Sequence, residues 1–340
     1  MLMRMNLTQA QRRVLYYVSL NASASVKDTS ETLGLREHFV RRTLQLFFEA
    51  NVFLRRSVWI NYRLLSLEYR VVHLQLPPQS IPFRKFFVEL ASSAEETVAV
   101  VELVGEGQLE LRLLTRDCWH LSSFFEQLSL RFNHPFRILR CLTTTELEYS
   151  GPSEPEMKHF KIQPLYIGAS AEQIERGKLD ETDHRILWAL ANCNYLRLQQ
   201  VARLISMPAA TVQYRISRLE AFGVIGGHFY LIDPTVFNDI PVGLKIRSCA
   251  LKQVEKEALK TFARQHPRIA WVAFFLGEQS AEIYSLVQNF DQAQMVIEDL
   301  SSQFKNILDS VSMTPQLRFF KYSTYPFKNY ETLTGAAAPR

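Results

Sequence analysis

"TVQYRISRLEAFGVIGG", residues 211–227, decides the reading of the fold. Val212, Ile216 and Leu219 recur at helical spacing and predict a buried stripe. Gly223 suits a left-handed C-cap that stops the helix. The remaining surface carries Gln213, Tyr214, Arg215 and Arg218. Taken alone, such a face is only solvated, and its surroundings change that reading.

Upstream, Asp180 is a good N-cap for one helix, a second runs near 198–205, and Pro208 fits the first turn of the third, where its missing N–H is no loss. Downstream, VIGGHFYLI is expected to form a hairpin that bends at Gly226 and Gly227. Three helices and a small hairpin in this order describe a winged helix-turn-helix, with 211–221 in its recognition helix.

The plan occurs twice. Sliding the chain on itself so that Leu7 meets Leu179 also lays Arg13 on Arg185, Val40 on Val212, Val52 on Val224, Gly105 on Gly277 and Phe132 on Phe304, without a gap. Thr8 and Gln11 make a capping box for the first helix of the first copy, Asn51 stands where Gly223 stands, and VFLRRSVWI matches the hairpin stretch. After each winged helix come strand, helix, strand, strand, helix and strand; in the second copy these are VGLKIRSCAL, VEKEALKTFARQ, RIAWVAFFL, AEIYSLVQ, DQAQMVIEDLSSQF and VSMTPQLRFFKY. That order is the split βαβ of a ferredoxin-like sandwich.

The expected architecture is therefore α+β, with two tandem repeats, each a winged helix-turn-helix followed by a ferredoxin-like (βαββαβ) domain. The boundaries read as winged helix 5–62, ferredoxin-like domain 68–149, linker 150–177, winged helix 178–235 and ferredoxin-like domain 240–325. The linker is marked by the Pro, Gly and Ser of SGPSEPE.

LDETDHRILWALANCNYLRLQQVARLISMPAATVQYRISRLEAFGVIGGHFYLIDP resembles the signature of the Lrp/AsnC (feast/famine) transcription regulators. The likeness runs from the opening Leu-Asp through R-I-x-x-L-E-x-x-G-V-I to the trailing Asp-Pro, and extends over about 178–322. It implies a winged helix that binds double-stranded DNA and a ferredoxin-like domain that pairs subunits and often senses a small-molecule effector, commonly an amino acid. A tandem fusion of two such units looks like a covalent pseudo-dimer with a capacity to form homo-oligomers.

On that resemblance the DNA-binding residues are Thr211, Gln213, Tyr214, Arg215, Arg218 and His228 in the second copy, and Arg36, His38, Arg41, Arg42, Arg55 and Arg56 in the first. Gln pairs well with adenine edges, Arg with guanine, and basic side chains grip phosphate. The matched faces differ at every position, which predicts an asymmetric operator. The family's effector loop has a Gly followed three residues later by Asp. The effector site that the resemblance implies falls here at Gly105, Gln108, Gly277 and Ser280, with Gln108 and Ser280 in place of the acid.

The totals fit this picture without deciding it. The 340 residues carry 39 Lys plus Arg against 34 Asp plus Glu, a net +5. Four cysteines without CxxC spacing suggest neither zinc nor disulfides, and the eight histidines show no ligand spacing, so no metal and no cofactor is expected. No apolar run is long enough to cross a bilayer, and the expected setting is soluble and cytoplasmic. Nucleotide-binding glycine loops and nucleophile elbows are absent, so the chain is expected not to be an enzyme.

Two alternatives stand beside this. Tetrapyrrole-processing sirohaem decarboxylases resemble Lrp-type regulators and also work as paired, unlike units, with His and Arg available for propionates and acetates. A protein-interaction module is the other, if the first copy has lost DNA binding; it has Thr29 and Ser30 where the second has apolar Val201 and Ala202.

Overall fold

A computed structural model describes residues 7–105, 108–151, 164–168, 179–193, 197–237 and 239–329. Most of the predicted linker lies outside the described residues.

The first three helices are α1 (Gln9–Leu20), α2 (Val26–Leu33) and α3 (Glu37–Glu49). Thr8 and Gln11 cap α1 reciprocally, as Ser25 and Asp28 cap α2. Strand β1 (Phe53–Ile60) follows, then β2 (Glu68–Gln75), α4 (Arg84–Ser93), β3 (Thr97–Leu103), β4 (Leu109–Thr115), α5 (Cys118–Phe132) and β5 (Arg137–Tyr149). A short β6 (Leu165–Ile167) precedes the second set. That set comprises α6 (Glu181–Asn192), α7 (Leu198–Leu204), α8 (Ala209–Ala221), β7 (Ile225–Ile232), β8 (Ile240–Ser248), α9 (Gln253–Gln265), β9 (Ile269–Leu276), β10 (Ala281–Val287), α10 (Phe290–Gln303) and β11 (Leu308–Tyr322). The chain is thus α+β, with two winged-helix and ferredoxin-like repeats. Asn51 and Gly223 end α3 and α8 with φ of 54° and 76°, the left-handed backbone that these residue types tolerate.

Within each repeat the sheet order is that of a ferredoxin-like domain: β5-β2-β4-β3 in the first, β11-β8-β10-β9 in the second. The two sheets do not stay apart. The first half of β5 pairs with β2 and its second half crosses to β9, with Leu147 opposite Ala273. In the same way β11 leaves β8 at Pro315 and continues on β3, with Arg318 opposite Glu102. These crossings close the eight strands into one antiparallel barrel, which removes exposed sheet edges. Helices α9 and α10 pack on one half around Leu259, Phe262, Val296 and Leu300, and α4 and α5 on the other around Phe87, Phe124 and Leu128.

The expected hairpins are not formed. β7 is one continuous strand and pairs antiparallel with β1 of the other repeat, Ser57 opposite Phe229 and Trp59 opposite Gly227. Gly226 and Gly227 serve close approach instead of a bend: a Cβ at Gly227 would stand 2.7 Å from Leu165 Cδ2, and one at Gly226 3.4 Å from Trp59. Each ribbon strand packs on the opposite winged helix. Tyr230 and Ile232 join the core of Val14, Val40 and Phe47, while Val58 and Ile60 join that of Ile186, Val212 and Leu219. The rings of Phe53 and Tyr230 stack at 4.3 Å across the seam. Between ribbon and barrel lies a cavity of about 1150 Å³.

His184, on α6, is buried and hydrogen-bonded to the Tyr325 hydroxyl. Burial pushes its pKa from the ordinary 6.5 down to about 4, with Asp180 pulling the other way. A depressed histidine favours the neutral form in the folded state, so its stability contribution is present above about 6.5 and lost as the pH falls towards 4. At about 1.4 kcal/mol per pH unit this amounts to at most about 3 kcal/mol. Thermal unfolding followed by circular dichroism should show the melting temperature falling between pH 6.5 and 4, and falling less in His184→Phe. Equal pH profiles for the two proteins would reject the assignment.

Candidate nucleic-acid interface

Helices α3 and α8 are the third helices of their winged domains, and each buries one stripe: Val40, Thr43 and Phe47 on α3, Val212, Ile216 and Leu219 on α8. The stripe sets which side chains stay outside. On α3, Arg41 and Arg42 are exposed, and so are Arg36 and His38 at its start. Among the described residues none of these four side chains makes a hydrogen bond or ion pair, so the surface is basic and uncommitted. On α8, Gln213 and Tyr214 are exposed, Tyr214 at 69%, at the positions that match Arg41 and Arg42. Gln213 reaches only Ser217, at 3.4 Å, and Thr211 is half-buried on the first turns of α8.

Arg215 and Arg218 depart from the expectation that all four polar residues of α8 face outwards together. Arg215 Nη1 donates to Asp180 at 2.7 Å and to Asp183 Oδ1 at 3.0 Å, and Arg218 donates to Asp183 Oδ2. Asp183 itself is completely buried. These arginines flank the apolar stripe, so they meet the acidic N-terminus of α6 and clamp the third helix to the first. The matched first-repeat positions hold Thr8, Gln11, Thr43 and Leu46: both sides of the clamp are missing together, a signal that comparison of the two copies offers.

The ribbon residues also differ from expectation. Arg55 donates to the Tyr322 carbonyl at 2.7 Å, and burial lowers its pKa, with Tyr322 opposing. His228 is half-buried, with Nε2 3.1 Å from Glu220; burial lowers its pKa while Glu220 partly offsets the effect. Both are half-buried on the ribbon, Arg55 tied to Tyr322 of the other repeat and His228 to α8 of its own, and the exchange of strands turns the expected wings into a seam. Arg56 is half-buried on the same strand.

Thr29 and Ser30 are buried, but their hydroxyls donate to the carbonyls of Ser25 and Lys27 at 2.8 and 2.9 Å. Helix α2 therefore satisfies them without disturbing its packing. In the loops expected from the resemblance to hold an effector, Gly105 and Gly277 take φ of 106° and 135°. Gln108 accepts from the Leu76 amide at 3.3 Å, and Ser280 donates to the Ser248 carbonyl at 2.9 Å. Both side chains tie loop to neighbouring strand. Among the described residues no group of three acidic, His or Cys side chains is placed to hold a metal ion, and no helix is long and apolar enough to cross a membrane.

Sequence reasoning passed over the acids inside the barrel. Glu110 and Glu282 occupy matched positions of β4 and β10, and both are buried. Glu110 Oε1 accepts from Arg112 at 2.6 Å and its other oxygen lies 3.2 Å from His73. Burial pushes the Glu282 carboxyl up, as does the nearby charge of Glu110. A glutamate repeated at the second position of the two matched strands was the available sign.

Residues 179–225 match a family described as winged helix-turn-helix DNA-binding. The HTH-type transcriptional regulator AldR of Mycolicibacterium smegmatis is 25% identical over 146 residues, covering 42% of this chain and 84% of that protein. Among solved structures, the siroheme decarboxylase NirDL superposes with a TM-score of 0.59 at 10% identity, over 96% of this chain and 97% of that one. Its co-complex with an iron-uroporphyrin III analogue gives 0.57, again at 10% identity, over 97% and 100%. At such identity this likeness concerns the fold, which is shared from end to end.

Proposed function

We propose, from a chain whose second half is that of an Lrp/AsnC-like transcription regulator, that one molecule is an intramolecular pseudo-dimer reading an asymmetric site in double-stranded DNA. The observation that carries this is the joining of two unlike third helices by one shared ribbon and one closed barrel. The units would be the winged helices 5–62 and 178–235 and the ferredoxin-like domains 68–149 and 240–325. Arg36, His38, Arg41 and Arg42 supply phosphate attraction on one side. Thr211, Gln213 and Tyr214 supply hydrogen bonding and apolar contact on the other. Arg215 and Arg218 set the angle of α8 through Asp183, and Arg55 and His228 support the ribbon. Further association between molecules through the barrel exterior would add half-sites.

Selection of the purified protein against a random duplex library at near-physiological salt tests this. The expected result is one enriched motif with unlike halves, bound at least about tenfold more tightly than either symmetrised version, a gap of about 1.4 kcal/mol. Equal affinity for all three would reject the asymmetric site, and no enrichment would reject DNA reading.

A second reading is favoured by the end-to-end fold likeness to NirDL together with the cavity between ribbon and barrel: an enzyme acting on a carboxylated tetrapyrrole. Anaerobic incubation with sirohaem followed by mass spectrometry separates the two. Loss of carbon dioxide from the substrate would support the enzyme, and unchanged substrate would leave the regulator.

A further inference from the structure

The cavity between the ribbon and the barrel is not used by DNA reading, and its walls come from both parts. Tyr16 of α1 and Trp59 and Phe229 of the ribbon line it from the winged-helix side, Arg112, Trp271 and Gln316 from the barrel. A molecule held there touches both layers at once.

Its chemistry is specific. The Trp59 ring nitrogen, the Thr144 hydroxyl and the Gln316 carbonyl oxygen are buried and have no hydrogen-bond partner among the described residues. The three residues are only 8%, 2% and 3% exposed, and all line the cavity. Buried polar atoms are normally satisfied, so three around one space point to an occupant with complementary groups. Thr144 and Gln316 hold matched positions in β5 and β11, so both repeats contribute. Flat ring faces are present in two stacks, Trp59 with Tyr149 at 5.7 Å and Trp271 with Tyr284 at 5.1 Å. Arg112 lies between Trp271 and Phe319, 5.7 Å from each ring centre. Of the charged lining residues six are basic (Arg12, Arg55, Arg112, Arg268, Arg318, Lys321) and four acidic (Glu110, Asp233, Asp239, Glu282), which favours an anion. At about 1150 Å³ the space exceeds what a single amino acid fills and reaches that of large ligands.

We infer that this cavity binds a flat aromatic carboxylate, and that its occupancy alters how the winged helices sit on the barrel and so changes DNA affinity. The second clause rests on the DNA-binding reading above. The site is separate from the loops at Gly105 and Gly277.

Full-length protein is titrated with pyrenebutyrate, and with pyrenebutanol as the same ring system without the acid, while tryptophan emission is followed. Saturable quenching by pyrenebutyrate is expected, at least tenfold weaker with pyrenebutanol. It should also be at least fivefold weaker in Thr144→Val, which removes an unpaired buried hydroxyl donor, and in Arg318→Gln, which removes a lining cation at an exposed position; neither change disturbs a buried partner. The apparent Kd for the selected DNA should shift at least threefold with the probe bound. No saturation, or quenching that both variants leave unchanged, overturns the site. Saturable binding with no shift in DNA affinity overturns the coupling alone, and saturable binding in a protein that selects no DNA overturns the regulator reading while the ligand site stands.

Discussion

Asp183→Ala is expected to loosen the second winged helix by about 3 kcal/mol, the lower end of what breaking a buried ion pair costs. Asp183 is fully buried and takes charge-assisted bonds from both Arg215 and Arg218, and its amide donates to the Asp180 side chain at 2.9 Å. The lower end applies because the two arginine side chains, 21% and 32% exposed, can turn to water once the carboxylate is gone. Removing Arg215 or Arg218 singly should cost less, since each leaves the other on Asp183. Hydrogen exchange resolved to peptides checks this: protection should fall across α6 and α8 in Asp183→Ala and stay unchanged across α1 and α3. If instead Asp183→Ala keeps full protection while Arg215→Ala and Arg218→Ala each lower DNA affinity with a flatter salt dependence, the arginines serve phosphate and the clamp is incidental.

Arg41→Ala combined with Arg42→Ala should act in the opposite way, leaving the fold intact and weakening DNA binding by about 10- to 100-fold. Both side chains are exposed and uncommitted, so their loss costs no packing. Each phosphate contact contributes about 0.9 to the slope of log affinity against log salt. The double variant should therefore flatten that slope by about 2 and weaken all sequences alike. Fluorescence anisotropy on the selected duplex and a scrambled one, at four salt concentrations, reads both quantities. A loss confined to the selected duplex would make these arginines base readers, and an unchanged affinity would remove the first repeat from the interface. Gln213→Ala with Tyr214→Ala is the complementary pair: discrimination between the duplexes should shrink by about tenfold at nearly constant slope.

These predictions separate residues that looked alike in the sequence. Arg41, Arg42, Arg215 and Arg218 all lie on third helices beside an apolar stripe, and helical periodicity assigns each of them to the polar side. Periodicity does not say what stands opposite. For Arg215 and Arg218 that is the Asp180–Asp183 turn of α6; for the first repeat the same place holds Thr8 and Gln11, which cap α1 and attract no arginine. Arg55 and His228 likewise lie on strands that the sequence placed correctly as extended, but the partners that bury them, Tyr322 and Glu220, are far away along the chain or on another element.

The repeat, the order of helices and strands, the caps at Thr8, Asp180, Asn51 and Gly223, and the buried stripes were determined by the sequence itself, because each depends on contacts within a few residues, where spacing and residue type act directly. Only the tertiary structure decided that VIGGHFYLI and VFLRRSVWI pair with each other instead of folding back, that β5 and β11 cross to close one barrel, and which arginines remain free. A strand offers two edges and a side-chain alternation that many partners satisfy equally. The choice among them was made by packing between repeats, where Gly227 admits Leu165 and Phe53 meets Tyr230.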